Sequence, residues 1–147
     1  MLFRSLKIDP DNTNDQYNMI LNLVNKYNID GIIATNTSLS RPEILRDLNK
    51  KRAGGLSGAP IKDISDKVLK FLYRETNKEL ILIGVGGVSS ALDVYNKIKL
   101  GASLVQMYTS LTYGGPQLIN KILIDLVKLI KDDGFANISE AVGVNNK

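Results

Sequence analysis

The feature that most constrains the fold is a fourfold alternation of short apolar runs with longer segments of helical periodicity. The runs span residues 2–8, 31–35, 80–85 and 103–108. Each is rich in β-branched residues and suits a strand buried on both faces, as in parallel sheets. Such alternation predicts a parallel sheet with right-handed crossovers. Four units make either a small doubly wound sheet or half of a (β/α)8 barrel, since a whole barrel needs about 250 residues.

A helix is predicted after each run, from apolar residues spaced three and four positions apart. Asn12 or Thr13 caps the first helix, Ser89 or Ser90 caps the third, and Pro116 suits the first turn of the fourth. The four expected apolar faces are Ile20, Leu23, Val24 and Tyr27; Ile64, Val68, Phe71 and Leu72; Leu92, Val94 and Ile98; and Ile119, Ile122, Leu123, Leu126 and Ile130.

The composition disfavours several classes of function. The 147 residues include no Cys and no His, which removes thiolate chemistry, the commonest metal ligand and Ser-His-Asp hydrolysis. The net charge of +4 comes from lysines scattered among acidic residues and asparagines, a pattern that does not support nucleic-acid binding. No window approaches the ~18 consecutive apolar residues of a membrane span. We therefore expect one globular domain without a metal site or a membrane segment.

Polar or glycine-rich clusters follow the carboxyl ends of the predicted strands. They are Lys7–Asp11, Thr35–Thr37, Gly54–Gly58, Gly84–Val88 and Tyr108–Ser110. Ligands bind at this edge in parallel βα folds. Taken singly, each cluster also has an ordinary structural explanation, such as a capping residue, a turn or a lysine that reaches solvent. Their shared position is what predicts a binding site.

Gly84–Gly87 is the sharpest of these clusters. It follows a buried strand and precedes a helix, so its free N–H groups suit a phosphate. It is not a dinucleotide fingerprint, because Ser89 stands at the third glycine position and Gln106 and Met107 stand where an acidic residue is usual. In barrels, the loops after strands seven and eight form the common phosphate site.

Six motifs occur in an order that resembles the second half of the dihydroorotate dehydrogenase family. They occupy residues 6–11, 30–37, 54–60, 83–88, 101–106 and 108–116. The last motif and the closing segment 133–143 resemble the quinone-linked class of that family in particular. The match covers nearly the whole chain, and six motifs in order are far more specific than one.

The resemblance implies that residues 1–147 form strands five to eight of a (β/α)8 barrel that holds FMN. Lys7 would lie beside the isoalloxazine ring and stabilise the anionic reduced flavin. The other matched flavin-binding positions are Thr35, Gly58, Gly87, Tyr108 and Thr109, the last three around the phosphate. Asn36 and Thr37 match positions that bind the orotate ring.

The reaction implied by the resemblance is the oxidation of dihydroorotate to orotate in de novo pyrimidine biosynthesis. A proton leaves C5, a hydride passes from C6 to the flavin, and a quinone then reoxidises the flavin. The family class that uses quinone is associated with the inner membrane of bacteria or mitochondria.

The same resemblance implies that essential parts lie outside this chain. The family's catalytic base, a serine in this class, belongs to the first half, together with several asparagine ligands and the helices that admit quinone. We therefore assign no catalytic residue here. We expect the chain to need a complementary N-terminal half or a second copy of itself, unless the sequence is a fragment of a longer gene.

Asp9 departs from the family pattern, which usually has a small alanine there. Its carboxylate either pairs with Lys7 and weakens the effect of that ammonium on the flavin, or points outward. Two other functions stay open: an FMN- or phosphate-binding half-barrel without activity of its own, and another phosphate-binding barrel enzyme. Asn36 and Thr37 argue against the second, since many phosphate-site barrels have the glycine turn without them.

Overall fold

Four parallel strands alternate with helices in the predicted order in the computed structural model, which describes residues 2–43 and 45–146. The strands are β1 (Ser5–Ile8), β2 (Gly31–Ala34), β3 (Ile81–Val85) and β4 (Leu104–Gln106). The helices are α1 (Asn14–Lys26), α2 (Lys62–Glu75), α3 (Ala91–Lys99), α4 (Thr109–Gly114) and α5 (Gln117–Asp132). Short 3-10 helices cover Ala59–Ile61, Ile138–Ala141 and Val144–Asn146. Each strand lies within a predicted apolar run and is shorter than it.

The strands stand in the sheet in their order along the chain, and every neighbouring pair is parallel. Right-handed crossovers between strands that are always added in the same direction leave all the helices on one face. A doubly wound sheet instead reverses its strand order at a switch point and carries helices on both faces. The alternative of a small doubly wound sheet is therefore wrong, and the architecture is that of part of a (β/α)8 barrel.

The core lies between the sheet and the helices. Ile32 of β2 and Leu82 of β3 are fully buried, as are Leu69 and Leu72 of α2. Full burial of one such side chain stabilises the fold by about 1.5–3 kcal/mol. A second cluster joins α3 and α5 through Val94, Tyr95, Ile98, Ile122, Leu126 and Ile130. Both clusters fix the helices to the sheet and to one another, which leaves the strand ends free to form a site.

The opposite face of the sheet carries a row of side chains in register. Lys7, Ile33, Ile83 and Leu104 are pairing partners across the four strands, so their side chains project from the same face. In a barrel this face lines the interior, where side chains from alternate strands fill the space in layers. Leu104 is nevertheless 59% exposed. At β4, this face of the sheet therefore has few packing neighbours among residues 2–43 and 45–146.

Five residues of the predicted apolar helix faces are exposed, and their assignment to the core was wrong. They are Leu23, Tyr27, Leu92, Ile119 and Leu123. In α5 the buried stripe consists of Ile122, Leu126 and Ile130, and the predicted face had included the adjacent, exposed stripe. Apolar spacing identifies a stripe on a helix, but the stripe that is covered depends on which elements pack against it.

The capping predictions are confirmed for α1 and α3. Thr13 Oγ1 accepts a hydrogen bond from the Gln16 N–H at 3.3 Å, and the Gln16 side chain accepts one from the Thr13 N–H at 2.8 Å. Ser90 Oγ accepts a hydrogen bond from the Asp93 N–H at 3.2 Å. Pro116 directly precedes the first residue of α5. A cap of this kind contributes about 0.5–2 kcal/mol.

Candidate functional site

A cavity of about 440 Å³ opens at the carboxyl ends of the four strands. It is lined by all eight residues to which the sequence assigned a binding role: Lys7, Thr35, Asn36, Thr37, Gly58, Gly87, Tyr108 and Thr109. Seven further residues complete the lining: Ser57, Ile61, Val85, Gly86, Val88, Gln106 and Met107. The volume suits a small organic ligand. The structure thus brings the predicted residues to one place, whatever their individual roles.

The segment that follows β2 is held between its two neighbouring strands. The Thr35 N–H donates to the Val85 carbonyl at 2.9 Å, and the Asn36 N–H donates to the Ile8 carbonyl at 2.6 Å. The side chain of Thr35 is almost fully buried, yet its hydroxyl has no hydrogen-bond partner in the described part of the chain. Buried polar atoms are normally paired. An unpaired hydroxyl at the wall of a cavity is suited to a polar ligand atom.

Lys7 contributes an ammonium at the end of β1. Within residues 2–43 and 45–146, no carboxylate lies within 4.0 Å of it. The Asp9 carboxylate instead accepts hydrogen bonds from the Asp11 N–H at 3.0 Å and the Asn12 side chain at 3.3 Å. Of the two possibilities for Asp9, the structure therefore favours the one in which Asp9 leaves Lys7 unpaired. An unpaired cation beside a cavity favours ligands that carry or acquire negative charge.

Gly58 brings the segment before α2 against the end of β4. Its φ of +78° is unfavourable for other residues, and a Cβ there would lie 3.1 Å from Thr109 Cγ2. Thr109 Oγ1 donates to Ser57 Oγ at 3.0 Å. Glycine is therefore required for this close approach, which fixes one wall of the cavity.

The glycine turn (residues 84–90) forms the facing wall. Gly87 has a φ of +70°, and a Cβ there would lie only 2.4 Å from Lys62 Cβ. Among the described residues, neither the Gly86 N–H nor the Gly87 N–H donates a hydrogen bond. Two unpaired N–H groups beside a cavity that also contains a lysine are suited to an anion.

The long β2–α2 segment (residues 38–56) connects the cavity residues Thr37 and Ser57 and is fixed by two charged side chains that the sequence interpretation missed. The Asp11 carboxylate accepts hydrogen bonds from Ser38 Oγ at 2.6 Å, the Leu39 N–H at 2.6 Å and Ser40 Oγ at 3.0 Å. Burial raises the pKa of Asp11, but these hydrogen bonds outweigh it and bring the pKa below its usual value. The Arg41 guanidinium donates to the carbonyls of Ser38, Leu39, Ser40, Lys50, Arg52 and Gly54.

These contacts were missed for a simple reason. Asp11 lies within the predicted cluster after β1, and only its position beside the strand end was used. Arg41 lies in a segment without periodicity, where the sequence gives no sign of which carbonyls converge on it. A short polar side chain that follows a strand and precedes a cap is the one available signal for a role such as that of Asp11.

Comparisons with known proteins agree with the geometry. The sequence model of the family described as dihydroorotate dehydrogenase matches residues 5–130. A protein of Trichodesmium erythraeum named dihydroorotate dehydrogenase (quinone) is 44% identical over 97% of this chain and 39% of its own length. The mouse protein named dihydroorotate dehydrogenase (quinone), mitochondrial, is 41% identical over 97% of this chain and 36% of its own length.

Solved structures give the same result. The chain superposes on ligand-free dihydroorotate dehydrogenase of Eimeria tenella with a TM-score of 0.96 and 35% identity, covering 100% of this chain and 41% of that one. The complex of the Eimeria enzyme with ferulenol gives a TM-score of 0.95 and 36% identity, covering 99% and 38%. The chain thus spans about 40% of the length of the proteins that it matches.

Proposed function

The chain belongs to the dihydroorotate dehydrogenase family, and from that premise we propose that it forms the flavin-binding part of a quinone-linked dihydroorotate dehydrogenase. This enzyme would oxidise dihydroorotate to orotate in de novo pyrimidine biosynthesis, with FMN as cofactor. The observation that carries the proposal is the single cavity lined by all eight predicted residues.

The residues present fit FMN. A flavin mononucleotide joins a polar ring system to a phosphate, and the cavity has features suited to both. The unpaired N–H groups of Gly86 and Gly87 suit a phosphate, and the unpaired buried hydroxyl of Thr35 suits a polar ring atom. In this proposal Gly87, Tyr108 and Thr109 hold the phosphate, and Thr35 and Gly58 contact the ring system.

Lys7, Asn36 and Thr37 would act on the reacting groups. When bound, FMN supplies the acceptor for the hydride that leaves C6 of dihydroorotate. The Lys7 ammonium would stabilise negative charge next to it, because a cation acts strongly where water is excluded. Asn36 offers both a donor and an acceptor, and Thr37 a hydroxyl, to orient the substrate ring. No catalytic base is assigned, and the proton at C5 would leave to a group outside this chain.

A partner is part of the proposal. β1 pairs with β2 alone and β4 with β3 alone among the described residues, so each has an edge that is open there. Leu104 of β4 is 59% exposed, and α5 exposes a stripe of Ile119, Leu123 and Val127. Open strand edges and apolar surface of this kind favour association. We propose that a complementary N-terminal half, or a second copy of the chain, covers them.

Reoxidation by quinone also belongs to the proposal, on the strength of the relatives' names. Association with the inner membrane is proposed from the resemblance to the quinone-linked class. In residues 2–43 and 45–146, no helix is both long and apolar enough to cross a bilayer.

A second candidate function is a module that binds FMN or a phosphate without turnover. This candidate needs no catalytic base, and no residue of this chain is assigned that role. Both candidates predict flavin binding, and they differ in whether dihydroorotate reduces that flavin once the complement is present.

The experiment is to purify the chain, measure its bound flavin and its oligomeric state, and then add dihydroorotate with and without the N-terminal part of a relative. We expect flavin on a defined species and bleaching of its absorbance only with the complement. Flavin that is never bleached would favour the binding module. Lys7→Met should slow bleaching at least about tenfold, whereas Lys67→Met, an exposed lysine of α2, should not. A folded chain without flavin would overturn the proposal.

A further inference from the structure

A fully buried lysine lies behind the glycine turn. Lys97 of α3 has an exposed fraction of 0%, and its Nζ lies 2.7 Å from Asp66 Oδ1 and 3.0 Å from Ser65 Oγ. Lysine is almost never fully buried unless its charge is paired, because desolvating an ammonium is costly. The two partners come from α2, more than thirty residues earlier in the chain. This pair is therefore a specific feature of the fold that calls for an explanation.

The buried pair supports the start of the glycine turn directly. Ser65 Oγ, which accepts the hydrogen bond from Lys97, donates its own proton to the carbonyl of Val85. A Cβ at Gly86 would lie 2.9 Å from Ser65 Cβ, and a Cβ at Gly84 would lie 3.0 Å from Lys97 Cδ. The backbone of residues 84–86 thus packs directly against the side chains of Ser65 and Lys97, and the contact leaves no room for a Cβ at Gly84 or Gly86.

The same group of charges supports the far end of the turn. Lys62 lies 2.9 Å from Asp66 Oδ2 and 3.8 Å from Asp93 Oδ1. The Asp93 carboxylate accepts hydrogen bonds from the Ser89 N–H at 3.1 Å and from the Ser89 and Ser90 hydroxyls. A continuous ladder of four charges, Lys97–Asp66–Lys62–Asp93, therefore holds the turn at both ends.

The pKa values of the two lysines are shifted in opposite directions. Burial lowers the pKa of Lys97, and the neighbouring Asp66 carboxylate opposes that effect. The hydrogen bond with Asp66 raises the pKa of Lys62. With two cations and two carboxylates, the ladder is close to neutral, so it contributes little net charge to the cavity. Its effect on a ligand must come from where it holds the backbone.

We propose that Lys97 is a positioning residue for phosphate: acting through Ser65 and the Val85 carbonyl, it holds the Gly86 and Gly87 N–H groups in the position that binds the phosphate of FMN. This inference rests on the proposed flavin site. Within residues 2–43 and 45–146, none of the four ladder side chains lines the cavity. Lys97 therefore acts through the backbone and touches neither ligand nor reacting atoms.

The test compares two ligands that differ only in the phosphate. FMN and riboflavin share the ring and the ribityl chain, so the ratio of their dissociation constants reports phosphate binding alone. Lys97→Met keeps most of the length of the side chain and removes its charge. Lys99→Met is the matched control, because Lys99 lies on the same helix and its ion pair with Asp133, at 3.4 Å, is away from the turn.

We expect Lys97→Met to weaken FMN binding about tenfold or more, the effect of losing a charge-assisted hydrogen bond, while riboflavin binding changes less than about twofold. Lys99→Met should leave both constants unchanged. A Lys97→Met protein that unfolds at lower denaturant concentration but keeps the wild-type FMN-to-riboflavin ratio would show a purely structural role and overturn the inference.

Ser65→Ala carries the test if Lys97→Met does not fold. This variant leaves the ion pair between Lys97 and Asp66 in place and removes its connection to Val85. The ratio of the FMN to the riboflavin dissociation constant should therefore rise, as in Lys97→Met. An unchanged ratio in Ser65→Ala overturns the inference. A wild-type chain that binds riboflavin as tightly as FMN also overturns it while leaving a flavin site. A chain that binds neither flavin removes the proposed function and this inference together.

Discussion

The glycine turn and the β2–α2 segment both adjoin cavity residues along the chain, and they are held in place by different means. The glycine turn has seven residues and rests on buried or half-buried side chains of α2 and α3, with Lys97 fully buried beneath it. The β2–α2 segment is about three times as long. The exposed Asp11 and the half-buried Arg41 hold it, mainly through hydrogen bonds to the backbone of the segment. The glycine turn is thus supported by the core, and the β2–α2 segment by side chains at the surface.

The difference has energetic consequences. Removing one partner of a buried ion pair costs about 3–5 kcal/mol, because the other charge is left without compensation. A surface hydrogen bond contributes about 0.5–1.5 kcal/mol, and a long segment can open without the rest of the domain. We expect damage to the glycine turn to destabilise the whole domain. Damage to the β2–α2 segment should loosen that segment alone.

The largest effect is expected from Gly87→Ala. The new Cβ would lie 2.4 Å from Lys62 Cβ and 2.7 Å from Lys62 Cα, at a φ of +70°. We expect the free energy of unfolding to fall by about 3 kcal/mol, since backbone strain and overpacking add. Urea unfolding measures the change. Gly134→Ala is the matched control, because its φ is +81° and a Cβ there has no atom within 4 Å.

The control isolates the contact from the backbone strain. Gly134→Ala should cost about 1 kcal/mol, the strain of a left-handed alanine alone. Equal losses in the two variants would mean that the turn shifts away from Lys62 at little cost, and the glycine turn would then be no more rigid than the surface.

Arg41→Met should have the next largest effect, and a local one. The variant loses the guanidinium that six carbonyls share. We expect a loss of about 1–2 kcal/mol, with faster proteolysis and hydrogen exchange confined to residues 38–56. Arg52→Met, an exposed arginine of the same segment, should change neither. Faster exchange at Ser89, whose N–H donates to the Asp93 carboxylate, in Arg41→Met would show that the two segments are coupled.

The same comparison explains what the sequence could predict. The strand ends and the glycine turn are local patterns, and a turn between a buried strand and a capped helix is confined to few conformations. Lys97 follows Val94 by three positions, on the apolar face of α3, which was a signal of burial. Its partner Asp66 lies 31 residues away, and no local pattern connects the two.

The features that could not be predicted depend on contacts between residues that no periodic sequence pattern relates. Arg41 reaches carbonyls up to 13 residues away, across a segment without regular structure. The exposed Leu123 and the buried Leu126 are equally apolar, and they differ only in what packs against them. The roles of Lys7, Asn36 and the other cavity residues stay predictions, since their position in one cavity fixes their neighbours and leaves their ligands to experiment.

Asp11→Asn should have a smaller effect than Arg41→Met on the same segment. Asparagine keeps one acceptor oxygen but loses the charge that strengthens the hydrogen bonds from Ser38, Leu39 and Ser40. We expect a loss of about 1 kcal/mol, measured by urea unfolding, with faster exchange at Leu39 and Ser40. Asp132→Asn, an exposed residue at the end of α5, is the control and should cost nothing. A loss as large as that of Gly87→Ala would contradict the view that the surface holds this segment.

The smallest effect is expected from acid, which acts on both the glycine turn and the β2–α2 segment. Burial raises the pKa of Asp93, but hydrogen bonds from Ser90 and Ser89 and the charge of Lys62 outweigh it, so that the pKa lies below its usual value, as for Asp11. A carboxylate whose pKa is lowered by folding stabilises the native state above its unfolded pKa of about 3.8. That contribution is lost as the pH falls through the lower, native pKa.

Lowering the pH from 6 to 2 should therefore remove less than about 1 kcal/mol through each of these carboxylates. Asp93→Asn and Asp11→Asn should each flatten the acid side of the stability curve, the first by loosening Ser89 and Ser90 and the second by loosening Leu39 and Ser40. Hydrogen exchange at Ser89 and at Leu39, whose N–H groups donate to these two carboxylates, distinguishes the two segments. If Asp93→Asn altered exchange at Leu39 as much as at Ser89, acid would act on both segments as one unit, and the separation of a core-supported glycine turn from a surface-supported β2–α2 segment would fail.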